Sequence, residues 1–170
     1  MKLRKLALLI VVTLIALLLT ACGGAVRQED LTGCWLMGQD REYRYLSRFG
    51  SDGSMEILFV PRGDWAEVFT IEGSYSLQEG TLNRTYSRET PENSVLNLPA
   101  RLEIRGGALI LDYGELTECW AKLTPEAEAL CHDPEAGTEC PDCAGLGIRG
   151  IREELPLFCE TCCGLGIVAE

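Results

Sequence analysis

The C-terminal part of the chain contains one short cysteine pattern twice. Residues 140–147 read CPDCAGLG and residues 159–166 read CETCCGLG; we call them the first knuckle and the second knuckle. A Cys-x-x-Cys turn directs two sulfur atoms toward one point, so two such turns supply the four thiolates of a closed tetrahedral zinc site. The spacing predicts one structural zinc ion with four ligands, Cys140, Cys143, Cys159 and Cys162.

Glycines follow the ligand pair in each knuckle, at Gly145 and Gly147 and again at Gly164 and Gly166. Glycine has no Cβ, and the chain can therefore reverse direction just past the ligands. The same turns leave backbone N–H groups free to point at the thiolates and to offset their negative charge. We expect N–H···S hydrogen bonds in both knuckles.

The repeated Cys-x-x-Cys-x-Gly-x-Gly pattern resembles the cysteine-rich zinc module of DnaJ-type co-chaperones, over residues 140–170. Four repeats bind two zinc ions in that family, so two repeats imply one zinc ion in a C-terminal β-hairpin. The resemblance also implies that the hairpin presents an apolar surface to a polypeptide. It does not imply a J-domain, because the single histidine lies in a Cys-His-Asp-Pro segment at 131–134 and not in a His-Pro-Asp turn.

The N-terminal segment 1–21 has the features of a secretory signal: a basic start, an apolar run over 6–19 and small residues before Cys22. The Leu-Thr-Ala-Cys sequence resembles the lipobox of bacterial lipoproteins. That resemblance implies acyl chains such as palmitate on Cys22, a tether over 22–30 and an extracytoplasmic location on the bacterial membrane. The alternative is an uncleaved transmembrane anchor. Such an anchor needs about 20 apolar residues, more than the run over 6–19 provides.

Removal of residues 1–21 takes away three basic residues and changes the formal net charge from -11 to -14. Such an acidic surface argues against nucleic acid as a partner and against electrostatic attachment to anionic lipid. The membrane partnership must then come from the acyl chains on Cys22, at about 0.8 kcal/mol for each buried CH₂ group.

The region 31–124 reads as short strands separated by turn signals such as Gly50–Gly53 and Gly106–Gly107. Evenly spaced strands of this kind predict a mainly β fold, an antiparallel barrel or sandwich. Side chains at alternate positions share a face, for example Met55, Ile57 and Phe59. The predicted strands are Leu31–Met37, Tyr43–Phe49, Ser54–Val60, Trp65–Leu77, Thr81–Ser87, Val95–Arg105, Ala108–Tyr113 and Leu116–Leu123.

The Gly33-Cys34-Trp35 opening of this region, followed later by Gly73-Ser74-Tyr75 and a closing strand, resembles small lipocalin-like barrels. The resemblance implies that Trp35 plugs the floor of a closed barrel beneath a basic side chain of the last strand, here Lys122.

Two cysteines of the first and last strands are candidates for a disulfide. If Trp35 and Trp120 point inward, Cys34 and Cys119 both lie on the outer face, and barrel closure makes their strands neighbours. An exported protein permits such a Cys34–Cys119 bond. Two separately buried thiols are the alternative. The sequence allows two roles for the remaining cysteines. Either Cys131 and Cys163 form a disulfide with each other, or Cys131 and His132 are additional metal ligands.

Residues 125–139 are rich in proline, glutamate and alanine and read as a linker between two modules. Pro125–Leu130 suits one or two helical turns, because proline is favoured at the first helical position and acidic residues near the helix N-terminus.

Catalytic chemistry has little support in the sequence. A Cys₄ zinc site has no open coordination position, and a single histidine gives no Ser-His-Asp or Cys-His arrangement. The sequence therefore predicts a binding or interaction protein and not an enzyme. An extracytoplasmic thiol-disulfide oxidoreductase that uses the Cys-x-x-Cys pairs is the enzyme-class alternative, although no thioredoxin-like βαβ pattern surrounds them.

Two forms of binding follow from the two modules. In one, the zinc hairpin docks a polypeptide through its apolar residues Ile148, Ile151, Leu155, Leu157 and Phe158; in the alternative interpretation these residues pack on the barrel. In the other, the barrel holds a small apolar ligand against four aromatic residues, Trp35, Phe69, Tyr75 and Trp120. For a barrel of this length, a core filled by those aromatic residues is the favoured alternative.

Overall fold

The computed structural model describes residues 26–62, 67–87, 98–133, 137–152 and 155–169. The predicted signal peptide, the lipidation site at Cys22 and the start of the tether lie outside the described residues. In the part of the chain that the structure describes, no helix is long and apolar enough to cross a membrane.

Eight antiparallel strands form a closed barrel in which each strand pairs with the next along the chain and β8 returns to β1. This is the up-and-down topology found in lipocalin-type barrels. The predicted mainly β fold is confirmed, and each of the eight predicted strands has a counterpart. Residues 65, 66 and 95–97, where two of the predicted strands begin, lie outside the described residues. Their bounds are β1 Gly33–Gln39, β2 Tyr43–Phe49, β3 Ser54–Pro61, β4 Phe69–Gln78, β5 Thr81–Tyr86, β6 Ala100–Arg105, β7 Ala108–Asp112 and β8 Thr117–Lys122.

The barrel interior is filled by side chains from alternate positions of the strands, as the sequence pattern predicts. Met55 and Ile57 of β3 point inward, as do Leu109 and Leu111 of β7. The interior is therefore a packed hydrophobic core over most of its length. The buried members are Leu31, Trp35, Phe49, Met55, Ile57, Ile71, Tyr75, Leu82, Tyr86, Ala100, Leu109, Leu111 and Trp120.

One end of the barrel is closed by Trp35 and a short helix, α1 (Gln28–Leu31). The Trp35 indole N–H donates to the Leu31 carbonyl at 2.7 Å. The Lys122 ammonium lies 5.1 Å from the Trp35 ring centroid and donates to the Asp30 carbonyl at 3.0 Å. This is the arrangement that the lipocalin resemblance implied. Residues 28–30, the last part of the predicted tether 22–30, lie in α1.

The predicted linker 125–139 is also partly ordered into the fold. Helix α2 (Pro125–His132) begins after Thr124, whose hydroxyl accepts from the Ala127 N–H at 3.2 Å. The helix buries Leu130 and Cys131 against the outer surface of the barrel. Glu128 forms an ion pair with Arg48 at 2.5 Å. Because α2 is anchored in this way, the two modules are joined by a packed helix and not by a free linker over that range.

The C-terminal module contains two small sheets: β9 (Gly137–Glu139) pairs with β12 (Ile167–Ala169), and β10 (Ile148–Arg152) pairs with β11 (Leu155–Phe158). The β10–β11 hairpin lies between the two knuckles in sequence, and the β9–β12 pair joins the two ends of the module.

The module docks on the outer face of the barrel through its second knuckle. Leu165 is 2% exposed there, with Phe158 and Ile167 packed around it, and Gln39 of β1 donates to the Leu165 carbonyl at 3.4 Å. Barrel and module therefore share a second hydrophobic cluster. Its buried barrel and helix members are Cys34, Leu36, Leu46, Leu58, Val60, Ala121, Leu123, Ala127, Leu130 and Cys131.

Candidate metal centre

The four predicted ligands meet at one buried point. The Sγ atoms of Cys140, Cys143, Cys159 and Cys162 all lie within 4.8 Å of one another, and all four residues are buried. Among the described residues these four form the cluster with metal-ligand geometry. The sequence spacing therefore identified the set that the fold assembles.

The sulfur separations fit a metal ion better than disulfides. Cys140 Sγ lies 3.9 Å from Cys159 Sγ, and Cys143 Sγ lies 3.7 Å from Cys162 Sγ. A tetrahedral zinc ion with Zn–S bonds of about 2.3 Å places its sulfur ligands about 3.8 Å apart, whereas a disulfide needs about 2.05 Å. The four cysteines can therefore hold one metal ion in a closed site without a change of backbone.

The two knuckles are related by an approximate two-fold exchange of hydrogen bonds. The Cys140 N–H donates to the Gly166 carbonyl at 2.9 Å, and the Cys159 N–H donates to the Gly147 carbonyl at 2.9 Å. Each knuckle thus fixes the first ligand of the other. We therefore expect the site to assemble cooperatively, because each ligand pair is positioned in part by the other knuckle.

The last glycine of each knuckle leaves no room for a Cβ atom, and its N–H group donates a hydrogen bond to a cysteine sulfur. Gly147 and Gly166 have φ values of +74° and +79°, and their N–H groups donate to Cys143 Sγ and Cys162 Sγ at 3.3 Å. A Cβ on Gly147 would lie 2.1 Å from the Gly164 carbonyl oxygen, and one on Gly166 would lie 2.2 Å from the Gly145 oxygen. The expected N–H···S bonds are confirmed.

The electrostatics differ between the thiols of the second knuckle. Burial raises the pKa of the Cys162 thiol to about 12. Burial acts in the same direction on Cys159, but the backbone N–H groups of Cys162 and Thr161 outweigh it and lower that pKa to about 6. A metal ion must displace the remaining protons, because thiolates are the ligands. With four thiolates bound, no position is left for a water molecule to be activated.

An ion pair lies next to the thiolates. The Arg149 guanidinium is 3.2 Å from the Asp142 carboxylate, which also accepts from the Thr161 hydroxyl. The pKa of Arg149 is raised, first by a hydrogen bond to the Cys159 thiolate. Asp142 thus links the first knuckle to the second, and Arg149 offsets part of the negative charge of the thiolates.

The predicted Cys34–Cys119 disulfide is wrong: both thiols are free. Strands β1 and β8 are neighbours, but the Leu123 N–H donates to the Cys34 carbonyl at 2.9 Å, so Cys34 lies beside Leu123. Cys119 is four residues earlier, about 13 Å along the strand, beyond the roughly 7 Å between Cα atoms that a disulfide can span. The two-residue period predicted the face correctly but carries no information on register.

The remaining cysteines are also free thiols. Cys34 of β1 and Cys131 of α2 lie in the cluster between the barrel and the helix, where burial raises the pKa of Cys34 to about 12 and that of Cys131 to about 11. Cys163 is half-buried at the second knuckle, and its Sγ lies 3.8 Å from the Glu160 carbonyl. Cys131 therefore pairs neither with Cys163 nor with the metal cluster, and His132 is likewise outside that cluster.

Of the four aromatic residues predicted to line the barrel, three lie in its core and one lies at its open end. Trp35, Tyr75 and Trp120 are at most 7% exposed, whereas Phe69 is 49% exposed at the open end. The first three fill the core, in line with the alternative interpretation of these residues. A cavity of about 310 Å³ remains at the open end beside Trp120 and Glu118.

Sequence reasoning missed a buried arginine in the barrel. Arg84 is 3% exposed, lies 5.7 Å from the Trp120 ring centroid and donates to the Tyr113 hydroxyl at 2.5 Å. Within the described ranges no residue accepts from its Nε or Nη1 atoms. The signal was present in the sequence, since Arg84 falls at an inward position between Leu82 and Tyr86.

Comparison with known proteins gives limited similarity. No family model matches the chain, and no curated protein matches it. A lipocalin-like protein from Bacteroides uniformis of known structure is similar at 19% sequence identity and a TM-score of 0.40, over 55% of this chain and 99% of that one. A similarity at this level does not show a family. The evidence for the barrel topology is the pairing of strands β1 to β8.

Proposed function

We propose that this chain is an extracytoplasmic, lipid-anchored and non-catalytic binding protein whose zinc-bound C-terminal module contacts a polypeptide. The lipid anchor rests on the Leu-Thr-Ala-Cys sequence that ends at Cys22. The choice of zinc rests on the all-thiolate donor set and on the tetrahedral spacing of the four sulfur atoms. The absence of an open coordination position in such a site favours a structural role for the metal.

The observation that carries polypeptide binding is a difference between equivalent leucines. Leu165 of the second knuckle is 2% exposed because it docks on the barrel, but Leu146 of the first knuckle is 72% exposed. Ile151 of β10 is 73% exposed on the same module. Large apolar side chains that are this exposed on a module already held rigid by a metal ion are typical of an interaction surface.

The metal and the anchor are tested by intact mass spectrometry of the mature protein, under native and denaturing conditions, with and without chelator. We expect one zinc ion, acyl chains on Cys22 and no mass loss from disulfide formation. A metal-free protein with two disulfides among the four knuckle cysteines would contradict the structural-zinc proposal and would favour the thiol oxidoreductase alternative.

Polypeptide binding is tested with the mature chain carrying Cys22→Ser and a reduced, carboxymethylated model protein that stays unfolded. We expect binding by the zinc-loaded chain, and a loss of about tenfold in affinity in the double variant Leu146→Ser, Ile151→Ser. The matched control is Leu98→Ser, Leu116→Ser, which removes two leucines of 48% and 50% exposure at the open end of the barrel. Equal affinity in all three proteins would overturn the proposed surface.

A second candidate function is ligand binding at the open end of the barrel. It is favoured by the cavity beside Trp120 and by the unpartnered N–H groups of Arg84, which lies behind the cavity lining, 5.7 Å from the Trp120 ring centroid. A purely apolar ligand would leave these groups unpaired at a cost of about 1–3 kcal/mol. A small molecule with a hydrogen-bond acceptor would pair them. Native mass spectrometry of the protein as purified tests this idea: a co-purifying molecule that is lost in Arg84→Met supports it, and an empty barrel in both proteins contradicts it.

A further inference from the structure

A groove of about 680 Å³ runs between the outer surface of the barrel and the C-terminal module. Ile110 of β7 and Cys119 of β8 line the barrel side, and Leu157 and Phe158 of β11 line the module side. Ligand pockets typically have volumes of about 300–1,000 Å³ and occur preferentially where two domains meet. The groove therefore has the size and the position of a binding site, and it is separate from the barrel interior.

The charge of the groove is opposite to that of the protein. The whole chain has 26 acidic and 15 basic residues, yet the groove is lined by three arginines and one carboxylate. These residues are Arg105, Arg149, Arg152 and Glu160. Basic residues are thus concentrated around this site in an otherwise acidic molecule.

The arginines keep capacity for a ligand even where they already form ion pairs. Arg149 pairs with Asp142 at 3.2 Å and also hydrogen-bonds to the Cys159 thiolate, but its guanidinium side chain is half exposed. A guanidinium carries five N–H donors in a planar fork, so that one side can bind a second carboxylate in bidentate fashion. Exposed ion pairs of this kind are weak and give way easily.

We propose that this groove binds a single-chain fatty acid, with its carboxylate between Arg149 and Arg152 and its tail along Ile110, Leu157 and Phe158. An apolar floor with a cationic rim matches a ligand that has one long apolar body and one anionic end. A nucleotide or a sugar phosphate would leave the apolar floor without contacts. The binding is independent of the proposed polypeptide surface, because Leu146 and Ile151 do not line the groove.

Occupancy of the groove depends on the metal. Phe158 and Glu160 are the immediate neighbours of the ligand Cys159, so the module wall of the groove is held by the metal site. A ligand that binds the folded, metal-loaded module and not the unfolded module must lose its site when the metal is removed. This dependence distinguishes the groove from the barrel cavity, which involves no residue of the module.

The test is titration of the zinc-loaded mature chain carrying Cys22→Ser with a fluorescent polyene fatty acid, followed by competition with monomeric oleate. We expect one saturable site, displaced by oleate and lost after chelation. The double variant Arg149→Gln, Arg152→Gln, with one zinc ion still bound, should bind at least about tenfold more weakly, a factor that corresponds to about 1.4 kcal/mol. The matched control Arg41→Gln, Arg101→Gln removes two exposed arginines outside the groove and should bind like the parent.

The outcomes separate the possible sites. Unchanged affinity in Arg149→Gln, Arg152→Gln, or binding that survives chelation, would overturn the proposal and place the fatty acid elsewhere. Binding to anionic phospholipid vesicles without displacement by oleate would also overturn it, in favour of a membrane surface. If that double variant still binds the unfolded model protein while it loses the fatty acid, the groove and the polypeptide surface are distinct sites.

Discussion

The two knuckles of the C-terminal module share one backbone and one set of ligands but have different surroundings. Each provides two cysteines, one N–H···S bond from its last glycine and one N–H···O bond to the other knuckle. The second knuckle is buried against the barrel, whereas the first faces solvent. The local cysteine and glycine pattern therefore determines the metal site, and the residues around the pattern determine what each knuckle contacts.

Neighbouring side chains explain which knuckle docks. The residue before the first ligand is Phe158 in the second knuckle, where it packs against the barrel cluster, and Glu139 in the first, where it is exposed. Leu165 and Leu146 occupy the same position in the repeat but are 2% and 72% exposed. A carboxylate at the docking position would be costly to bury, so the sequence difference directs the second knuckle to the barrel.

The largest expected effect is loss of zinc binding on substitution of the last glycine, and it should be the same for both knuckles. Gly147→Ala and Gly166→Ala each place a Cβ about 2 Å from a carbonyl oxygen of the other knuckle, in a backbone conformation that alanine rarely adopts. We expect either variant to lose stoichiometric zinc, measured with a chromophoric chelator. Gly38→Ala is the control, since its Cβ would meet no atom within 4 Å. Full zinc retention in either knuckle variant would show that the exchange of hydrogen bonds between the two knuckles is not needed for zinc binding.

The next effect should distinguish the knuckles. Leu165→Ala leaves a cavity between module and barrel and should lower the free energy of unfolding by about 2–5 kcal/mol. Leu146→Ala, its counterpart in the first knuckle, should change it by less than about 0.5 kcal/mol because the side chain is exposed. Urea unfolding of the zinc-loaded proteins measures both. Equal losses in the two variants would mean that the first knuckle is also packed against the fold.

The smallest effect concerns the polar link between the knuckles. Asp142→Asn removes the ion pair with Arg149. Because both side chains of this pair are about half exposed, the loss in the free energy of unfolding should be at most about 1 kcal/mol. The measurement is the midpoint of thermal unfolding in the presence of zinc. A loss as large as that of Leu165→Ala would indicate that the charge near the thiolates, more than apolar docking, holds the module together.

Much of the fold and of the candidate site could be predicted because the relevant signals are local. The ligand set follows from the spacing of Cys140, Cys143, Cys159 and Cys162, and the need for glycine follows from the turn just beyond them. The eight strands follow from alternation and turn residues, and β2 (Tyr43–Phe49) was predicted to the residue. The inward position of Arg84 was available from the same alternation and was overlooked.

Other features depend on contacts between distant parts of the chain. Pro125–His132 has the composition of a linker, yet α2 is held to the barrel by Leu130, Cys131 and the Glu128–Arg48 pair. Composition cannot reveal such contacts, because they exist only after the barrel has formed. The groove of the fatty-acid proposal is a further case, since one wall comes from residues 105–119 and the other from residues 149–160.

The amino-acid sequence by itself determined the four clustered cysteines, the glycine turns, the strands and the alternation of side chains between the two faces of the sheet. These features follow from covalent geometry and from periods of a few residues. Only the tertiary structure decided the register of β1 against β8, and with it the separation of Cys34 from Cys119. Closure of a barrel couples register to the tilt of all its strands. The same long-range assembly left Leu146 exposed and buried Leu165, although both occupy the same position in the repeat.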